Sequence, residues 1–156
     1  MDDLKRNVRG MYFEEFEPGL TIKTAGRTVT EADIVSFAGL SGDYTQIHID
    51  EEYSKNSPFG KRVAHGLLGL SIASGLAAQT GVLEGTVIAF REISEWKFIK
   101  PIYIGDTIHA IMQVKETKAL RRVGGGAVDI DLTVENQADE TVMKGTWRVL
   151  MASKPV

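Results

Sequence analysis

The feature that most constrains this chain is the stretch between Arg62 and Glu84, which contains no Asp, Glu, Lys or Arg. Its core, residues 63–78, is built from Val, Ala, Leu, Ile and Gly, interrupted by His65, Ser71 and Ser74. A membrane-spanning helix needs ~20 apolar residues, so the stretch reads as a buried helix over residues 66–79, ended by Gly81. It is apolar almost all round, and such a helix must be covered on every side.

The C-terminal half of the chain supplies the cover. Residues 86–98, 107–118, 127–137 and 141–151 are rich in β-formers and alternate apolar with polar, as in Ile108, Ala110, Met112 and Val114. They read as antiparallel strands, with hairpins at 121–126 and 138–140. Upstream, residues 20–28 read as one strand. Thr30 caps a helix with acids in its first turn, and Gly39 or Gly42 stops it. Residues 42–49 read as irregular, Asp50 caps a short helical turn, and 57–60 is a loop. The class is α+β: a sheet of about five strands wrapped on a long apolar helix. An open sheet keeps edges, so the pattern asks for a partner.

The chain of 156 residues is one domain, 1–156, with enough length to bury a core. A net charge of −3 argues against nucleic acid as a partner. Cysteine is absent, which removes disulfide scaffolds, thiolate metal sites and cysteine nucleophiles. It also fits a reducing compartment, and a cytoplasmic location with no membrane association is expected. Residues 1–10 carry charges of both signs and no apolar core, so they are not a signal peptide.

Chemistry must come from few residues. The histidines are His48, His65 and His109. Asp43 and His48 would lie about 140° apart on a regular helix at roughly 100° per residue, so a shared site requires irregular backbone. Together they would offer a proton acceptor and donor around one water; on spacing alone, a turn aspartate beside a surface histidine is the simpler reading. Gly66 opens the apolar helix, where unpaired N–H groups could form an oxyanion hole; it could equally serve close packing. His65 reads as a structural hydrogen-bonder and His109 as a partly exposed strand residue. No histidine pair has metal-ligand spacing, and no metal is expected. Ser71 mimics a nucleophile elbow but lies inside the helix. The glycines 124–126 fit a hairpin better than a phosphate loop.

Between Ser41 and Gly75 the residues form a combination: Ser41-Gly-Asp43-Tyr-Thr-Gln-Ile-His48-Ile-Asp50, then Phe59-Gly60-Lys-Arg-Val63-Ala64-His65-Gly66. It resembles the MaoC-like (R)-specific enoyl-CoA hydratases and dehydratases of the hot-dog fold, whose pattern is Asp-x-Asn-Pro-x-His-x-Asp followed by Phe-Gly-x-x-Ile-Ala-His-Gly. The segments beginning at Tyr12 and at Phe98 are also similar to that family. The resemblance implies that Asp43 and His48 hold a water for addition to a trans-2-enoyl-CoA. Gly66 N–H would polarise the thioester carbonyl, and Ser74 and His65 would support the dyad. It implies no cofactor beyond the coenzyme A of the substrate, and a homodimer with sites at the interface. Thr45 and Gln46 stand where the family has Asn-Pro, and the missing proline is expected to loosen the loop.

The expected activity is therefore that of a hydro-lyase. A hot-dog acyl-CoA thioesterase is the rival enzyme, but many of those carry an acid on the central helix and none occurs here. A non-catalytic acyl-CoA-binding module is the other alternative. Arg62, Arg91 and Lys97 are candidates to meet an acyl carboxylate, and these or Lys100, Arg121 and Arg122 the CoA phosphates.

Overall fold

The computed structural model describes residues 10–156. The N-terminal segment expected not to be a signal peptide lies, for residues 1–9, outside them. Helices α1 (Glu31–Ser41), α2 (Gln46–Ile49), α3 (Glu51–Lys55) and α4 (Gly66–Gln79) are threaded among strands β1 (Thr21–Lys23), β2 (Arg27–Thr28), β3 (Val87–Phe98), β4 (Thr107–Leu120), β5 (Gly125–Glu135) and β6 (Thr141–Ala152). The strands pair antiparallel in the order β1-β4-β5-β6-β3, with β2 also on β4. The sheet wraps α4 as a hot-dog fold.

Each element has a local cause. The Thr30 hydroxyl accepts from the N–H of Asp33, and the Asp33 carboxylate accepts from the N–H of Thr30, a reciprocal cap that starts α1. Gly42, at φ 77°, ends it in the left-handed region. α4 buries Leu68, Ile72, Ala73, Leu76 and Ala77 against Met112, Leu132, Met143 and Val149 of the sheet. Each large side chain so buried stabilises the fold by roughly 1.5–3 kcal/mol. Trp96 and Trp147 stack inside at 6.2 Å.

Four expectations need correction. The segment 20–28 is two short strands separated by residues 24–26, because Thr24 turns its hydroxyl to the N–H of Ala110. The segment 42–49 is irregular only to Thr45; His48 rides on the single helical turn α2. The second hairpin begins at Asn136, whose side chain accepts from the N–H groups of Ala138 and Glu140 at 2.9 and 3.2 Å. α4 is also not covered all round: Leu67, Ser71, Ser74 and Ala78 form an exposed stripe at helical spacing. Among the described residues β3 has one unpaired edge, and it exposes Val87, Ile88, Phe90 and Ile93.

Candidate active site

The dyad is assembled by the turn between α1 and α2. α1 stops at Gly42, so Asp43 lies off any helix. Two residues on, Thr45 folds back: its hydroxyl donates to Asp43 Oδ1 at 2.6 Å and its N–H at 3.1 Å, an Asx turn. Those two bonds, hydroxyl first, hold the Asp43 carboxyl below its ordinary value, with smaller help from His48 and His65. Its other oxygen, Oδ2, stands 3.9 Å from His48 Nε2. That gap is too long for a hydrogen bond and wide enough for one water to bond both.

The His48 tautomer follows from its other nitrogen. Nδ1 sits 2.7 Å from the carbonyl oxygen of Val63. A carbonyl only accepts, so Nδ1 carries the proton, and in the neutral ring Nε2 presents a lone pair towards Asp43. His65 is fixed in the same way: its Nε2 donates to the backbone carbonyl of Asp43 at 2.9 Å. The two rings stack at 3.8 Å with 25° between their planes. Both histidines are buried, while the Asp43 side chain is 47% exposed.

A cavity of about 460 Å³ opens beside His48, lined also by His65, Gly66, Leu67, Phe98 and Met143. Asp43 is not part of that lining but stands beside His48. Gly66 settles at the rim with both of its possible roles intact. A Cβ there would lie 2.8 Å from the Phe98 ring, so close packing requires glycine. Its N–H is the first of α4 and has no acceptor among the described residues, so it is available to a ligand oxygen.

Comparison with known proteins decides the family. The model of the MaoC like domain matches residues 14–136. The chain belongs to the MaoC-like family. It is 45% identical over 104 residues to protein MaoC of Klebsiella aerogenes, covering 67% of this chain but only 30% of that relative's length. It is 32% identical over 147 residues to the 3-hydroxybutyryl-CoA dehydratase of Methylorubrum extorquens, covering 94% of this chain and 88% of that protein. A solved structure named as the monoamine oxidase regulatory protein from Archaeoglobus fulgius superimposes with TM-score 0.88 at 38% identity, over 94% of this chain and 97% of that one. The family and its named relatives indicate hydratase or dehydratase activity.

Other bonds surround the position where this MaoC-like chain departs from the family pattern. Gln46 takes the first position of α2, where proline is favoured but not required. Three contacts tie the loop: Thr45 bonds the Asp43 carboxylate, Ser41 Oγ accepts from the Asp43 N–H at 3.1 Å, and His65 donates to the Asp43 carbonyl. Thr45 is the contributor that sequence reasoning misses, although Asp-x-Thr at two-residue spacing is a turn signal.

The remaining candidates divide. Ser74 donates to the Ser71 carbonyl at 2.7 Å and faces outward on the uncovered stripe; within the chain it is not brought to the dyad. Arg62 bridges Glu51 at 2.6 Å and Glu31 at 2.8 Å, tying α3 to α1. Lys100 lines the cavity and is held by Glu140 at 2.6 Å. Arg91, Arg121 and Arg122 line a hollow on the sheet, with Arg148 and Leu150, and Lys97 lines another with Lys144. Asp43, His48 and His65 could each offer an atom to a metal, all within 4.8 Å. His65 would have to offer its Nδ1, because its Nε2 is committed to the Asp43 carbonyl. No helix among the described residues is long and apolar enough to cross a membrane.

Proposed function

We propose that this chain catalyses the reversible addition of water to a trans-2-enoyl-CoA, giving the (R)-3-hydroxyacyl-CoA. The observation that carries the reading is the fixed His48 tautomer, which aims an acceptor nitrogen at the ionised Asp43 across a water-sized gap at the mouth of an apolar cavity. In the hydration direction, one water lies between Asp43 Oδ2 and His48 Nε2 and donates a hydrogen bond to each. His48 takes one proton as the water oxygen bonds to C3. The C2–C3 π pair moves to C2 and is delocalised onto the thioester oxygen, where the Gly66 N–H receives it. His48 then returns its proton to C2, and the other proton stays on the new hydroxyl. The scheme draws on no cofactor, coenzyme A being part of the substrate.

A homodimer belongs to the same reading. The unpaired β3 edge and the exposed α4 stripe are the surfaces a second copy would cover, and that copy would shield Asp43 from bulk solvent. So does the cytoplasmic location expected of a chain that acts on CoA thioesters. The thioesterase alternative lacks a carboxylate on α4.

Loss of enoyl absorbance from crotonyl-CoA, thiol release and the chirality of the product, measured together, test the reading. Enoyl loss without thiol and an (R) product are expected. Thiol release with a persistent enoyl signal overturns it.

A further inference from the structure

His109 on β4 and Glu135 on β5 are directly opposite in the ladder. Their neighbours Ile108, Ala110 and Val134 are fully buried in the core. With the two-residue period of a strand, the His109–Glu135 pair therefore faces away from α4, on the far side of the sheet from the candidate active site. His109 Nε2 is shut off from solvent, has no hydrogen bond among the described residues, and lies 3.3 Å from Glu135 Oε2. That separation lies within ion-pair range but is longer than the ~2.7–2.9 Å of a charge-assisted hydrogen bond.

Asp139 brings a second carboxylate. His109, Glu135 and Asp139 each offer a donor atom, all within 4.8 Å of one another. Asp139 stands at φ 56° in the 136–140 hairpin. Asn136 pins that hairpin from inside through the N–H groups of Ala138 and Glu140. Gln137 ties it to β4, accepting from the Thr107 N–H at 3.0 Å and donating to Asp106 at 2.9 Å. The backbone that carries the third donor is thus tied down before any ligand arrives.

We propose that His109, Glu135 and Asp139 form a binding site for a divalent transition-metal ion of the zinc class. Two donors bound to zinc at ~2.0–2.1 Å in tetrahedral geometry lie roughly 3.3–3.4 Å apart, the separation already present between His109 and Glu135. An imidazole with two carboxylates suits Zn²⁺, Co²⁺ or Ni²⁺ and disfavours Ca²⁺ and Mg²⁺, which prefer all-oxygen sets. Three protein donors leave a fourth position to water. Strand register, not closeness in the chain, brings these donors together, so no metal-ligand spacing marks them in the sequence. The ion would cross-link the hairpin to β4.

The test is titration of the full chain, stripped of metal, with zinc chloride, followed by calorimetry and thermal melting. One saturable zinc equivalent and a raised melting temperature are expected, both lost in Asp139→Asn and in His109→Ala and both kept in His48→Ala. Asp139 is an exposed hairpin residue, so Asp139→Asn retains the fold and makes the comparison decisive. Cobalt in place of zinc should give visible absorbance that the same two variants abolish. Absence of saturable binding overturns the proposal, as does binding unchanged in Asp139→Asn. Binding lost in His48→Ala but kept in the other two assigns the ion to Asp43, His48 and His65, and overturns it as well.

Discussion

His65 Nε2 donates to the backbone carbonyl of Asp43 at 2.9 Å, and the same ring lies flat on His48. One buried side chain thus fixes the main chain of one dyad member and the ring plane of the other. His65→Ala should lower kcat about tenfold or more through misplacement of both. The cavity it leaves should destabilise the fold by about 2–4 kcal/mol. Steady-state kinetics and denaturant melts read the two effects separately, and a variant that loses stability but keeps kcat would show that the stack only fills space.

The dyad itself carries the sharper expectation. Asp43→Asn and His48→Ala should each reduce turnover of crotonyl-CoA by about 10²–10⁴, with little change in melting temperature for the exposed Asp43. Near-normal turnover in either would remove that residue from the mechanism.

Thr45 should govern the charge of Asp43. Its hydroxyl is the first cause of the lowered carboxyl, followed by its N–H. Thr45→Val removes the hydroxyl alone, so the carboxyl should move up towards its ordinary value of 3.8 without fully reaching it. In linkage terms a depressed folded value favours the folded state above the ordinary value, and that contribution is lost as pH falls through the lowered one. The Thr45→Val chain should therefore hold a smaller contribution, with the same onset near the ordinary value but the loss complete at a higher pH on acidification. Carbon-detected NMR titration of the Asp43 carboxylate in both proteins measures the shift directly.

Gly66 can be separated into its two roles. Gly66→Ala places a Cβ 2.8 Å from the Phe98 ring, and overpacking of this kind costs about 1–3 kcal/mol. The N–H survives the substitution. Adding Phe98→Ala should therefore restore both melting temperature and kcat if crowding was the whole defect. A double variant that regains stability but stays inactive would show that the Phe98 ring itself is needed at the cavity.

The β3 edge predicts assembly. Ile93 is 41% exposed on a strand with no outer partner among the described residues. Ile93→Lys puts a charge where a second copy is expected to lie, and should convert a dimer into a monomer in sedimentation while lowering activity. A wild-type chain that is a fully active monomer would refute the dimeric site.

Much of this fold is legible in the sequence, because α4 and the four long strands repeat a pattern over many residues. α4 lies at residues 66–79 as expected, and α1 starts and stops at Thr30 and Gly42. The illegible parts are those made by tertiary bonds. α2 is four residues long, too short to form alone; it is held through His48 on the Val63 carbonyl and Ser54 on the Ile47 carbonyl. The Asp43–His48 pairing depends on that turn, which is why spacing alone favours a turn aspartate and a surface histidine. The orientation of Ser74 and the meeting of His109 with Glu135 depend on helix rotation and strand register, which no local pattern encodes.

The ladder also sets an order of assembly. β4, β5 and β6 join through hairpins of a few residues, whereas Thr21 pairs with Gln113 and Val63 bridges Tyr103 across long loops. Contacts of high sequence separation must meet the entropy of loop closure before they return anything. The C-terminal meander can therefore collapse early, with α1 to α3 and the Val63 anchor of His48 docking afterwards. In a refolding experiment, sheet signals should return ahead of enzymatic competence, because His48, the proposed proton carrier, is held by one of the last segments to arrive.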